Sequence, residues 1–332
     1  MTKKLTLSVL LLLMAGLSLQ AADYQRVDQI MAAIPSVRSV QEITDYINGQ
    51  DFTDEEKARA VFDWIAANIA YDTEAFFSGR YGATDAAGTF KSRKSVCQGY
   101  SELYLALAQS VGLETVLISG YAKGYGYKPG AKISGSNHAW NAVKIGDRWM
   151  LVDSTWGAGH VNGSRFEKSF NPFWFDTPPE LFVIHHLPET TSWQLLEKSV
   201  TAAEYGKARF VETYYLSVLY QMGFPAAEIV AALKEGPLPN AFFYPDDPIM
   251  IIEAPLTGTL NKGTPYRFVF ESEKDIKMAW GADGSRLGGY IKRKGNQYVY
   301  EVTPTGDILE FYAEVTFKGA KNFWQVLAYK CQ

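Results

Sequence analysis

Apolar and polar positions divide the chain into segments of different texture. Over residues 53–69 the apolar side chains recur at helical spacing, with Val61, Phe62, Ile65 and Ile69 on one stripe. Thr53 followed by Glu56 is a capping-box signature, so a helix is predicted there. Residues 70–94 are less regular and are broken by Gly79, Gly82 and Gly88. A second helix is predicted from another box, Ser95 with Gln98. It carries Leu103, Tyr104, Leu107 and Val111 on one face and stops at Gly112. Beyond Glu114 the period falls to two. A strand at 115–121 leads into a glycine-rich loop, 122–137, and then two strands, 138–145 and 148–153, flank Gly146-Asp147. A two-residue glycine-containing connection between such runs predicts a hairpin.

Residues 165–245 mix Pro-rich turns with helical stretches, the clearest over 202–222 with Gly223 after it. Past Pro248 the texture is all-β. Short Val/Ile/Phe/Tyr runs near 249–253, 266–271, 276–280, 297–302, 308–316 and 323–329 alternate with turn residues, predicting a small antiparallel sandwich, Ig-like in kind. At the other end, Lys3 and Lys4 precede an apolar run and the small pair Ala21 and Ala22, which reads as a signal peptide over 1–22. The run is short for a bilayer span, so no integral membrane segment is expected after cleavage. The expected product is secreted or periplasmic. The domain expectation is then a catalytic unit over 23–200, a helical connector over 201–245 and the β-sandwich over 246–332.

Composition narrows the function classes. Of 332 residues, 47% are hydrophobic, enough to build a core and too many for a disordered chain. The formal net charge is −4; removal of Lys3 and Lys4 leaves 30 basic against 36 acidic residues, or −6. No basic stripe marks a nucleic-acid partner. The spacing of His and Cys does not suggest a metal site, and no phosphate-binding loop is present, so no cofactor is expected. Two cysteines cannot form a disulfide framework, although one bridge, Cys97 to Cys331, is the ordinary reading in an oxidising compartment.

Cys97 argues against that bridge. It lies in the first turn of the predicted helix, where unpaired backbone N–H groups and the macrodipole favour thiolate over thiol. Arg93 and Lys94 are expected to push the same way. The hairpin supplies a base and an orienting acid: with the two-residue loop, Trp140 faces Asp153, and Asp153 is diagonal to His138 on the same face. Of the other histidines, His160 falls in a loop and His185 and His186 lie in a Pro-rich stretch without a nearby acid on a shared face. Cys331 reads as a bystander thiol.

The segments SVCQGYSELYLALAQSVGLETVLISGYA and NHAWNAVKIGDRWMLVDSTWG resemble the transglutaminase-like superfamily core. WIAANIAYD and PPELFVIHHLPETTSWQLL look like its kyphoscoliosis-peptidase branch, which also occurs in bacteria. The resemblance spans roughly 50–200. It implies an α+β papain-like core, a helix packed on an antiparallel sheet, and a triad of Cys97, His138 and Asp153. It also implies a protein or peptide substrate attacked through a thioester. The Cys97 N–H is expected as one oxyanion donor and Tyr71 as a second; Trp140 and Trp156 are expected as cleft walls. Three functions remain open: a peptidase or other amide hydrolase, an amine-transferring enzyme, and a silent binding protein that keeps the fold.

Overall fold

A computed structural model describes residues 24–244, 246–284 and 287–332; the predicted signal peptide lies outside the described residues. The helix predicted from Thr53 runs Asp54–Asn68, and both halves of its capping box are made. Its buried face includes Val61, Phe62, Trp64 and Ile65. Two earlier helices, Gln25–Ala32 and Val40–Asn48, pack around it, in a stretch for which no element was predicted. The irregular stretch that follows holds two short helices, Thr73–Ser78 and Ala86–Ser92, each N-capped by an aspartate, Asp72 and Asp85. Short polar caps explain why a weak apolar pattern still yields helices.

The Cys97–Ser110 helix lies against a four-stranded antiparallel sheet. The sheet runs in the order Arg148–Val152, His138–Ile145, Thr115–Ala122, His186–Pro188. The predicted hairpin register holds, with Ile145 opposite Arg148. Asn141, at the middle of its strand, ties sheet to helix: its amide donates to the Ser101 carbonyl at 3.1 Å and to Val116 at 3.2 Å. Two tyrosines pin the helix from the other side, Tyr100 to the Ile69 carbonyl at 2.8 Å and Tyr104 to Ala58 at 3.3 Å.

The single helix predicted over 202–222 is two helices, Ala202–Lys207 and Thr213–Gln221. Ala208 between them is extended, at φ −59° and ψ 138°, and the freed Val211 carbonyl accepts from His185 at 2.8 Å. A further helix, Ala226–Glu235, precedes the sheet-rich region. That region consists of two facing sheets. One holds Met250–Glu253, Tyr266–Glu271, Arg293–Lys294 and Gln297–Val302. The other centres on the long hairpin Ile308–Phe317 and Ala320–Cys331. Phe268 of the first sheet meets Phe311 of the second at 4.6 Å between ring centres, and both are fully buried. The molecule is thus α+β, as expected, with a sheet-rich C-terminal part. Among the described residues no helix is long and apolar enough to cross a membrane.

Candidate active site

Packing, rather than a side-chain cap, sets the position of Cys97. The N-cap of its helix is Val96, which offers no side-chain hydrogen bond, and Cys97 is the first helical residue. The expected Ser95–Gln98 box is therefore not made. Ser95 is taken into a short parallel pairing with Tyr71, and Gln98 bonds Glu102 at 3.0 Å instead. Two residues on, Gly99 sits so close to the Ala86–Ser92 helix that a Cβ there would collide with Thr89 and Ser95. With no side-chain cap, the N–H groups of Cys97 and Gln98 at the helix start have no intrahelical acceptor.

His138 opens its strand and reaches both partners. Its Nε2 lies 2.7 Å from Asp153 Oδ2, and the same ring is close enough to Cys97 to lower its thiol. Asp153 stands just past the end of its strand, as N-cap of the Ser154–Ala158 helix. Its Oδ1 accepts from the Thr155 and Trp156 backbone at 2.9 and 3.0 Å. Its Oδ2 accepts from His138 and, at 3.0 Å, from Nε2 of His186. Every hydrogen-bonding position of a fully buried carboxylate is thereby filled.

These contacts decide the protonation states. Burial pushes the Asp153 carboxyl up, but the charge and hydrogen bond of His138 and the bond from His186 hold it well below the usual carboxylate range. Burial pulls His138 down, and Asp153 with Cys97 more than reverses this, raising it to about 10. For Cys97 burial is again the largest single influence and raises the thiol. The hydrogen bond and charge of His138, with the Ala139 backbone, outweigh it, so the net shift is downward. The site is built to hold thiolate and imidazolium as a pair.

Tyr71 lies beside Cys97, as its sequence position suggested. Burial and the neighbouring Cys97, Tyr81 and Asp153 keep its hydroxyl protonated and so able to donate. Trp156 is half-buried, with its ring 5.4 Å from His138, where it can wall a cleft. Trp140 does not: it is 1% exposed and stacks under His138 at 6.0 Å, so it supports the imidazole from the core side. Arg93 and Lys94 do not reach the thiol either. Arg93 lies over Trp64 and Phe90, and Lys94 pairs with Asp72 at 3.0 Å. A cavity of about 190 Å³ opens nearby, with Asp72, Tyr81, Lys94 and Val96 in its wall, but neither Cys97 nor His138 lines it.

His186 is the residue that sequence reasoning missed. Its acid is 33 positions upstream, and the strand that carries it, His186–Pro188, is too short to show a period. The adjacent His-His pair was the only local sign. His138, Asp153 and His186 bring possible ligand atoms within 4.8 Å of one another. Both imidazole Nε2 atoms, however, engage the same carboxylate oxygen, so the cluster reads as a hydrogen-bonded hub rather than a metal centre. Both cysteines are free thiols.

Residues 41–154 match the transglutaminase-like superfamily. Human kyphoscoliosis peptidase is 32% identical over 215 residues, which cover 64% of this chain and 32% of that protein. Hillarin of Drosophila melanogaster is 28% identical over 209 residues, covering 58% and 25%. The chain thus spans about a third or less of the length of the curated relatives it matches. Among solved structures, one described as a TGase superposes with a TM-score of 0.30 at 16% identity, covering 47% of this chain and 37% of that one.

Proposed function

With residues 41–154 belonging to the transglutaminase-like superfamily, we propose that the chain is a cysteine-dependent hydrolase of peptide or amide bonds. The observation that carries this reading is His138 held 2.7 Å from the buried Asp153 carboxylate, beside a Cys97 thiol that this imidazole lowers. In the first step the Cys97 thiolate attacks the carbonyl carbon, and the developing oxyanion faces the Cys97 N–H. His138 then gives its proton to the leaving amine as the C–N bond breaks, which leaves a thioester on Cys97. Water attacks the thioester, His138 takes its proton, and the carboxylate product departs with free thiolate restored. Asp153 holds the imidazole in the tautomer and orientation both proton transfers need. The same proposal puts this reaction outside the cytoplasm, with the leader-like composition of residues 1–22 as its support. Intact-mass analysis of secreted protein should then find a chain beginning near Ala22 or Asp23, and recovery of uncleaved cytoplasmic protein would remove that part.

The reading is tested by incubating the protein with unfolded casein and with glutamine-containing peptides, with and without a primary amine, followed by mass spectrometry. New peptide termini or loss of ammonia, absent with Cys97→Ala, are the expected result. Amine incorporation that outruns hydrolysis would replace the hydrolase by a transferase. No turnover of any substrate by a protein with a reactive Cys97 would leave the fold as a binding module.

A further inference from the structure

Asp153 has one more buried donor than a Cys-His-Asp triad requires. The extra donor is His186, which is fully buried and paired, through its strand, opposite Ala122. Its ring stacks on Phe182 at 4.1 Å and is enclosed by Trp156 at 4.5 Å, Trp140 at 5.1 Å and Trp174 at 5.2 Å. Such a cage excludes water and, against the larger cost of burial, leaves the Asp153 carboxylate and the Phe182 backbone as the groups that favour a charge on the ring. The neighbouring His185 is built differently, with Nε2 turned to the Val211 carbonyl at 2.8 Å. The dipeptide therefore sends one ring to the peripheral backbone and the other to the catalytic acid.

We propose that His186 is a positioning residue for the triad: a neutral imidazole whose Nε2–H shares Asp153 Oδ2 with His138 and limits how tightly that oxygen holds the His138 proton. The proposal rests on the reading of Cys97 and His138 as nucleophile and base. A carboxylate with only His138 on Oδ2 would concentrate its charge on that imidazole and make the imidazolium a reluctant acid. A second donor on the same oxygen spreads the charge and lets the proton go to the leaving group. Neutrality follows from the surroundings: burial pulls His186 down, the hydrogen bond and charge of Asp153 pull it up, His138 pulls it down again, and it titrates near about 4. The ionisable groups coupled to the hub from the packed elements are Cys97, Tyr71, Tyr100 and His185, with Lys123 beyond His185.

The test uses His186→Phe, which preserves the stacking, and His186→Gln, whose amide can still donate to Asp153. In His186→Phe, Cys97 alkylation near neutrality should stay within about two-fold of wild type. Its high-pH limb, where His138 loses its proton, should move up by roughly half a pH unit or more. The kcat on an amide substrate should fall about ten-fold with KM little changed, and His186→Gln should recover most of both changes. Superimposable pH profiles for His186→Phe and wild type, or a glutamine variant no better than phenylalanine, would overturn the proposal. Should both variants misfold, ¹⁵N-histidine spectra of the unmodified protein decide it. His186 must then appear as neutral imidazole protonated at Nε2 from pH 5 to 8; an Nδ1–H tautomer or an imidazolium sinks it. Alkylation of wild-type Cys97 tests the parent reading separately, because an ordinary thiol there would end the triad before His186 is considered.

Discussion

The two halves of the molecule each hold a cysteine, Cys97 half-buried and Cys331 buried, and their surroundings move the two thiols in opposite directions. Cys331 closes the last strand of the far sheet, 8% exposed, with its N–H bonded to the Asp307 carbonyl at 2.7 Å. Burial raises its thiol, Asp283 and Asp307 raise it further, and Lys262 with the Leu309 backbone offsets only part. Cys97 is also desolvated, but a histidine held by a saturated aspartate stands against it. The lesson is that burial alone says little about a thiol. What matters is whether a partner cation shares the buried space, and only the papain-like end supplies one.

That contrast can be broken most sharply by exchange of function. Cys97→Ala should abolish turnover, and Cys331→Ala should leave it unchanged; peptide mapping after brief iodoacetamide treatment at pH 6.5 should find label on Cys97 and not on Cys331. Equal labelling of the two would erase the comparison. Asp153→Asn comes next. The asparagine amide cannot accept both imidazole N–H groups and would hold the wrong tautomer, so kcat should fall by about 10²–10⁴-fold. The lost hub should also destabilise the fold by about 1–3 kcal/mol in urea titrations. Gly99→Ala is smaller. The added methyl would push the helix start away from Thr89 and Ser95, costing about 1–3 kcal/mol and moving Cys97 off His138, so its alkylation midpoint should drift up toward an ordinary thiol.

Acid tests the histidines rather than the thiols. His185 and His186 titrate near about 3 and about 4 in the folded protein, against an ordinary 6.5, because both are desolvated. The unfolded chain therefore binds more protons below pH 6.5. Each site should remove up to about 1.4 kcal/mol per pH unit as the pH falls from 6.5 toward its folded value. His185→Phe should flatten that slope in denaturant midpoints collected from pH 7 to 4. An unchanged slope would mean that another group sets the acid limb.

Much of the half that carries Cys97 was legible in the chain. Thr53 with Glu56 announced a helix start, and the Gly146-Asp147 loop fixed the register that brings Asp153 to His138, because hairpin register is local information. Tyr71 and Trp156 came instead from what the family resemblance implies; Tyr71 lies near Cys97 and Trp156 beside His138. Ser95 misled because a competing parallel pairing with Tyr71, 24 residues earlier in the chain, recruits it, and Arg93 because its left-handed backbone turns it toward Trp64. Trp140 shares the His138 face as expected, yet that face is covered by His186 of a distant strand and by Phe182, which ends the short helix before it. Non-local partners leave no period to read, and His186 is the fullest case.

The uncapped start of the Cys97 helix has a consequence for anyone who engineers this protein. Val96→Thr is nearly isosteric, and threonine is a favoured N-cap, so the change should raise helix stability by about 0.5–2 kcal/mol. Its hydroxyl would do so by accepting an N–H from the same first turn that faces the reacting carbonyl. A library selected for heat resistance would keep this substitution, and one selected for turnover would discard it.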